Sequence, residues 1–420
     1  MTNLLDELQW RGLVAQTTDL DALGKALDEG PITVYCGFDP TARSLHFGNL
    51  VQLIVLRHFQ RAGHRVLALV GGSTGLIGDP RPTSERVLKT PELTAEYVGR
   101  IQEQVAPFLS FEGDNPAVMV NNLDWTAPMS ALDFLRDIGK HFRVNQMIKK
   151  DAIAARLESQ EGISYTEFSY QLLQGMDYLH LYREHGCTLQ TGGQDQWGNL
   201  TAGVDLIHRA EGGTAHVLTT PLVTDENGEK YGKSAGNAVW LAPEMTSPYA
   251  FYQYWINVAD SETGKLLRIF TDRTQEQIAE LERRAAERPH LREAQRALAG
   301  DVTTLVHGAS ATAQVEAASQ VLFGKGDPTQ LDAGTLRDAT DELPGAAVPP
   351  GTPLLEAMVL VGHAESKGAA RRLVTDGGVS INNTKVDDLD RILSREDYLH
   401  GQVVLLRRGR KSLAAARNTS

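Results

Sequence analysis

Apolar positions in the first half of the chain fall into short runs, each followed by a small-residue turn and then by a stretch with helical spacing. Ile32-Thr33-Val34-Tyr35-Cys36 precedes a segment in which Leu50, Val51, Ile54 and Phe59 share one helix face. Val66-Leu67-Ala68-Leu69-Val70 leads into Gly71-Gly72-Ser73-Thr74-Gly75. Thr188-Leu189-Gln190 leads into Gly192-Gly193-Gln194-Asp195-Gln196-Trp197, and helical spacing then continues through Leu206 and Ile207. A last run, at 216–219 or 222–224, reaches the turn Asn227-Gly228. Strands alternating with helices and glycine turns predict an α/β fold on a parallel sheet. Ligands bind such sheets beyond the carboxyl ends of the strands, where these turns fall.

Residues up to about 30 form an amphipathic helical preface with Leu4, Leu5, Leu8 and Leu13, and the stretch from about 92 to 185 reads as a mostly helical insertion between two sheet halves. The pattern therefore predicts a first domain over 1–225 and a glycine-containing loop over 226–246. An all-helical domain follows over 247–325, where Phe251, Tyr252, Tyr254 and Trp255 read as core rather than as a ligand platform. Residues 326–350, rich in Asp, Gly, Pro and Ala, predict a linker. The last domain, 351–420, is a small α+β module with two helices, a Gly377-Gly378 turn and strands at 379–381 and 403–406.

Composition narrows the function classes. No run approaches the ~18 apolar residues of a membrane span. No secretory signal is read at the N-terminus. Cys36 and Cys187 are the only cysteines, which excludes a disulfide framework and a cysteine-rich zinc site. A cytoplasmic protein with reduced thiols is expected. The net charge is −12, but residues 352–420 carry +3 and the rest −15. Arg407, Arg408, Arg410 and Lys411 make a local basic cluster on an acidic chain, either an RNA grip or a solvated chain end.

Two distant clusters carry the candidate chemistry. Pro40-Thr41-Ala42-Arg43-Ser44-Leu45-His46-Phe47-Gly48-Asn49 opens the first sheet-domain helix, whose free backbone N–H groups suit a phosphate. His46 and Asn49 add polar side chains there, and Gly48 leaves a position occupied only by hydrogen. Lys230-Tyr231-Gly232-Lys233-Ser234 places two lysines three apart, a spacing that suits clamping a polyphosphate. The two clusters read as halves of an ATP site. Separately, Tyr170, Gln174 and Asp177 are spaced four and three apart and share a helix face. By itself that spacing fits a pocket, or, for Asp177, a surface carboxylate.

These blocks resemble the bacterial tyrosyl-tRNA synthetase family of class I over essentially the whole chain. His46-Phe47-Gly48-Asn49 is similar to the family's His-Ile-Gly-His signature, and Lys230–Ser234 to its Lys-Met-Ser-Lys-Ser loop. Tyr35–Thr41, Ala68–Gly72, Gly75–Pro80, Thr166–Tyr170 and Gly193–Asn199 resemble blocks of the tyrosyl branch. The resemblance implies a Rossmann-like catalytic domain that activates L-tyrosine with ATP and Mg2+ and then charges tRNA. No resident metal or tightly bound cofactor is expected. It places Thr41, His46 and Asn49 on the phosphates, with Gly48 leaving room for adenine. Lys230, Lys233 and Ser234 form the gripping loop, and Cys36, Asp39, Gly193 and Asp195 complete the nucleotide site. Asp79, Tyr170 and Gln174 meet the amine of tyrosine, and Tyr35 and Asp177 its phenol.

The C-terminal module resembles a ribosomal-protein RNA-binding domain, which implies tRNA contacts at Arg371, Arg372, Arg407, Arg408, Arg410 and Lys411. His208 and Arg209 fall where the family presents basic residues to the acceptor stem. Phe134–Phe142 resembles its homodimer surface. Two departures stand out. Asn49 replaces the second histidine, and Arg81-Pro82-Thr83-Ser84-Glu85-Arg86 is a residue short of the usual lysine-bearing stretch, leaving open whether Arg81 substitutes. The sister tryptophanyl enzymes share the fold and both signatures, but Tyr35, Asp177 and the C-terminal module favour the tyrosyl branch. A paralogue with a dead core is opposed by Asp79, Lys230 and Lys233.

Overall fold

The computed structural model describes residues 3–81, 84–160, 162–224, 238–341, 343–409 and 412–419. The chain forms two compact units, one of residues 1–245 with 260–283, the other of 246–259 with 284–420.

The first unit is built on a six-stranded sheet. Its strands are β1 (Gln16–Thr17), β2 (Thr33–Phe38), β3 (Arg65–Val70), β4 (Val118–Asn121), β5 (Cys187–Gly193) and β6 (His216–Thr220). They lie in the order β1-β6-β5-β2-β3-β4, all neighbours parallel except β1 against β6. The chain steps outward from β2 through β3 to β4, then returns to the other side of β2 for β5 and β6. The order therefore reverses between β2 and β5, where open parallel sheets bind ligands.

Helix α1 (Phe47–Arg61) covers one face with Leu50, Leu53 and Ile54 buried, and ends where Gly63 takes φ 93°. Helix α2 (Pro91–Val105) starts from the Thr90 cap with proline in its first turn. On the opposite face, α3 (Tyr165–His185) and α4 (Trp197–Glu211) share a core with Tyr35, Leu67 and Leu69. Ser164 caps α3, and Gly186 closes it in the left-handed conformation. The structure refines the sequence reading in detail. The insertion contributes β4, so it is not wholly helical. The strand expected near 188–190 is longer, and the last strand is the earlier of the two alternatives. The helix Asp260–Phe270 belongs to the sheet unit rather than to an all-helical domain starting at 247. Arg11 ties it there, donating to the carbonyls of Arg268 and Thr271 at 2.8 and 2.7 Å, and Phe270 packs 4.9 Å from Phe47.

The second unit pairs the helix Pro248–Ile256 with the long helix Glu293–Leu322, broken at Gly308. Phe251, Tyr252 and Trp255 are buried, as core aromatics should be. Its sheet has the order β7-β11-β10-β8-β9, from β7 (Gly345–Ala347), β8 (Val379–Ile381), β9 (Thr384–Lys385), β10 (Val403–Arg408) and β11 (Ser412–Arg417). The expected linker is structured: it holds the helix Ala333–Thr340 and strand β7. Leu331, Leu336 and Ala339 share a core with Val321, Leu405 and Leu413. Glycine serves packing here, since a Cβ at Gly345 would stand 2.1 Å from the Ala415 carbonyl oxygen.

Candidate functional site

Tyr35 sits in β2 with its side chain 1% exposed, and its hydroxyl makes no hydrogen bond among the described residues. Burial raises its pKa well above the ordinary phenol value, and the charge of Asp177 adds to the shift. Asp177, on α3, is as deeply buried. Its Oδ1 accepts from Trp125 Nε1 at 2.8 Å and its Oδ2 from Asn122 Nδ2 at 2.9 Å. Burial pushes Asp177 up to about 7 against the opposing effect of these two donors. The surface-carboxylate alternative for Asp177 is therefore excluded. Gln174 Oε1 is likewise buried without a bond, as is Oε1 of Gln190, the register neighbour of Tyr35 on β5.

The network extends from Asn122. Its Oδ1 accepts from Ser73 N at 2.7 Å, and its Nδ2 also donates to Thr74 Oγ1 at 3.0 Å. Thr74 donates to Asp39 Oδ1 at 2.6 Å and Tyr170 to Asp39 Oδ2 at 2.7 Å. Asp39 was expected in the nucleotide site; here both its oxygens are engaged on the Tyr170 side. Burial raises its pKa, which the Thr74 and Tyr170 hydrogen bonds oppose. Gly71 is required beside it, because a Cβ there would lie 2.1 Å from Asp39 Oδ1.

Asp79 follows the short helix Thr74–Ile77. Its Oδ1 accepts from Asn199 Nδ2 at 2.9 Å, its Oδ2 from Gln196 Nε2 at 3.1 Å, and its backbone carbonyl from Arg86 Nε at 2.9 Å. The backbone N–H of Arg86 donates to Glu167 Oε1 at 2.6 Å. Glu167 in turn pairs at 2.9 Å with Arg156, each side chain 1% exposed. The shortened stretch after Pro80 is thus anchored at Arg86. Arg81 is exposed, and its carbonyl is within 3.4 Å of Arg156 Nη1.

The start of α1 is built differently. His46 Nδ1 accepts from Gly48 N at 3.0 Å, and Asn49 Oδ1 accepts from His46 N at 3.0 Å, a reciprocal cap. Asn49 thus finds a local use for its oxygen and keeps its amide hydrogens for another acceptor. Thr41, His46 and Gly48 are exposed and Asn49 half-buried. A Cβ at Gly48 would approach the His46 ring to 2.9 Å, so glycine also makes room for the cap. Cys36 points the other way from Tyr35, toward α1, with Sγ 3.9 Å from Gln52 Oε1 and its thiol pushed up to about 12 by burial. It is thus buried on the α1 face of the sheet. Gly193 ends β5 beside exposed Asp195. Lys230, Lys233 and Ser234, and Arg410 and Lys411, lie outside the described residues.

Arg371 and Arg372 are exposed on the helix Lys367–Thr375, and Arg408 is exposed on β10. Arg407 is corrected. It is buried, and its Nη2 donates to the carbonyls of Val321 and Leu322 at 3.2 and 2.9 Å and to Asn383 Oδ1 at 3.2 Å. Strand alternation puts it on the opposite face from Arg408, so it caps a helix end instead of joining an open basic surface. His208 and Arg209 are both exposed, and Arg209 is engaged with the carbonyl of His141.

Asn122, Trp125, Gln190 and Lys150 were missed by the sequence reading. The Val118–Val120 run followed by Asn121-Asn122 repeats the strand-then-polar pattern seen at the other strands, and would have pointed to the first two.

The chain matches the family model for class I tRNA synthetases (W and Y) over residues 27–324, and the model for the tyrosine–tRNA ligase SYY-like C-terminal domain over 335–415. It is 61% identical to a tyrosine–tRNA ligase of Streptomyces griseus, over 99% of this chain and 98% of that one. It is 59% identical to one of Streptomyces coelicolor over the full length of both. A C-terminally truncated mitochondrial tyrosyl-tRNA synthetase of Coccidioides posadasii superposes with a TM-score of 0.67 at 31% identity, covering 75% of this chain and 91% of that one.

Proposed function

Because this chain belongs to the class I tyrosyl-tRNA synthetases, we propose that the buried groups between β2 and α3 select tyrosine and that the start of α1 receives ATP. The protein is a tyrosine–tRNA ligase. A carboxylate oxygen of tyrosine attacks the α-phosphorus of ATP, the bond to the bridging oxygen breaks, and pyrophosphate leaves. A terminal ribose hydroxyl of tRNA then attacks the tyrosyl carbonyl and AMP leaves.

A carboxylate is already a nucleophile at neutral pH, so the first step needs alignment and charge neutralisation rather than a base. That requirement fits a site without a nucleophile triad. Asp79, Tyr170 and Gln174 hold the ammonium group, and Asp177 accepts from the phenol while Tyr35 supplies its hydroxyl. Asn122 and Trp125 keep Asp177 in place. Thr41, His46, Gly48 and Asn49 receive ATP with Gly193 and Asp195. Mg2+ arrives with ATP as part of the substrate. Lys230, Lys233 and Ser234 draw off charge from the departing pyrophosphate. Arg371, Arg372 and Arg408 hold tRNA through its backbone.

We read the enzyme as a cytoplasmic homodimer. Leu132, Leu135 and Val144, 79, 50 and 62% exposed around the 134–142 segment, offer the apolar surface such a dimer buries. Among the described residues no helix is long and apolar enough to cross a membrane.

The observation that carries the tyrosine assignment is the buried, unbonded Tyr35 hydroxyl within electrostatic reach of the Asp177 carboxylate. An isolated buried hydroxyl is costly unless a ligand completes it. ATP–pyrophosphate exchange tests the reading. Tyrosine should support rapid exchange and phenylalanine or tryptophan almost none; comparable exchange with tryptophan would reassign the pocket to the sister specificity.

A further inference from the structure

Two amides that bind each other hold the Asp79 carboxylate. Asn199 Nδ2 donates to Asp79 Oδ1 at 2.9 Å and to Gln196 Oε1 at 3.0 Å, while Gln196 Nε2 donates to Asp79 Oδ2 at 3.1 Å. The arrangement works in one orientation of the Asn199 amide only. Turned over, it would present its oxygen to the Asp79 carboxylate and lose both bonds. An asparagine amide is nearly symmetric in shape, so something must set which end faces the acid. Lys150 does so from behind, with Nζ donating to Asn199 Oδ1. A flipped amide would set its NH2 against the ammonium.

The chain makes room for this lysine. A Cβ at Gly198 would lie 3.2 Å from Lys150 Cε and 3.7 Å from Cδ and Cγ, so the lysine stem passes where a larger residue would stand. On its outer side Lys150 lines a surface cavity of about 260 Å3 with Arg143, Lys149, Asp205 and Arg209. Burial draws its pKa down to about 7, while the Asp79 charge draws it back up. Lysine and carboxylate are thus electrostatically linked with one amide between them.

We propose that Lys150 is a positioning residue for the amino group of tyrosine: it pins the Asn199 amide, which aims the Asp79 carboxylate. This rests on the reading of Asp79 as the ammonium site and deepens it. Lys150 touches no reacting atom, so its effect belongs in tyrosine binding rather than in the phosphate chemistry.

The test uses the full-length enzyme in pyrophosphate exchange, with KM measured separately for tyrosine and ATP. The des-amino analogue of tyrosine serves as a competitive inhibitor that cannot feel the ammonium site. Lys150→Met should raise KM for tyrosine roughly 5- to 20-fold, less than the full worth of one charged hydrogen bond because the lysine acts through Asn199. KM for ATP and inhibition by the analogue should stay within about two-fold, and Lys150→Arg should recover most of the loss. If Lys150→Met does not fold, Lys150→Gln, whose amide can donate or accept and so no longer fixes which end of Asn199 faces Asp79, should still show the tyrosine-only shift. Equal weakening of tyrosine and analogue, or an unchanged KM for tyrosine, overturns the proposal. Asp79→Asn separates the two claims. If it weakens tyrosine but not the analogue while the Lys150 variants do nothing, the lysine assignment alone fails. If it leaves their ratio unchanged, the ammonium site itself is wrong and the lysine role falls with it.

Discussion

At the proposed phenol end of the site the polar groups are buried: Asp177 on α3 is bound to Asn122 and Trp125 after β4, while the Tyr35 hydroxyl on β2 has no partner among the described residues. At the proposed phosphate end His46 is exposed and Asn49 half-buried, and their side chains hydrogen-bond within their own helix start. Asp177 is held by Asn122 and Trp125, from a different part of the chain. The His46 side chain accepts from the Gly48 backbone, and the Asn49 side chain from the His46 backbone. On the proposed assignment, the difference follows from what each end must discriminate. Rejecting phenylalanine requires a buried donor and acceptor that are left costly when no hydroxyl arrives, and burial supplies that cost. A triphosphate is selected by charge and enters with its water, so exposed N–H groups and cations suffice.

The sharpest way to break this contrast is at the phosphate end. Lys233→Ala should slow adenylate formation by about 10²–10³-fold, or roughly 3–4 kcal/mol, with tyrosine affinity nearly unchanged. Single-turnover activation at the parental rate would show that Lys233 does not act on the leaving group.

At the phenol end, Tyr35→Phe and Asp177→Asn should each lower the preference for tyrosine over phenylalanine by about 10- to 100-fold, as expected for losing one hydrogen bond in a desolvated site. Tyrosyl-tRNA synthetases are themselves the reference case for this kind of rejection, so the logic is adopted from them. Competition assays give the ratio directly. Undiminished selectivity in both variants would remove the phenol assignment.

His46→Ala probes whether the exposed end also serves the fold. Loss of the reciprocal cap should cost about 1 kcal/mol in urea unfolding. Tyr35→Phe removes only an unbonded hydroxyl and should cost less in the ligand-free enzyme. A reversed order would mean that the capping bonds contribute little.

The smallest effect is in pH. Burial raises Asp177 to about 7, so in the ligand-free enzyme it is charged above that value and protonated below it. A protonated carboxyl loses part of its capacity to accept from the phenol. The tyrosine over phenylalanine ratio should therefore fall a few-fold between pH 8 and pH 6. For stability the sign is opposite. A raised folded pKa favours the protonated folded form, so this group's contribution is greatest below about pH 4 and is lost as pH rises through 7. Asp177→Asn should flatten both profiles, and a pH-independent ratio in the parent enzyme would contradict the shift.

Much of this organisation was legible before any coordinates. Short apolar runs ending in small-residue turns located β2, β3 and the middle of β5 and left β6 as one of two alternatives, because a doubly covered parallel strand is largely apolar. The three-and-four spacing put Tyr170, Gln174 and Asp177 on one face of α3. Composition misled at 326–350, where Asp, Gly and Pro signal turns whether or not those turns are packed. There Leu336 and Ala339 supply the buried contacts. The basic cluster misled at Arg407, because counting charges ignores strand alternation.

The sequence by itself determined the strand–helix rhythm, the placement of the turn that opens α1 and the face of α3, since each depends on residues near one another along the chain. Only the tertiary structure decided that Asn122, Trp125 and Asp177 meet, that Asp39 faces Tyr170, and that Lys150 stands behind Asp79. These contacts join residues from separate elements, and their geometry is set by how the strands order and stack. Burial then fixes the chemistry, because a carboxylate's charge state and a hydroxyl's lack of a partner depend on what surrounds them.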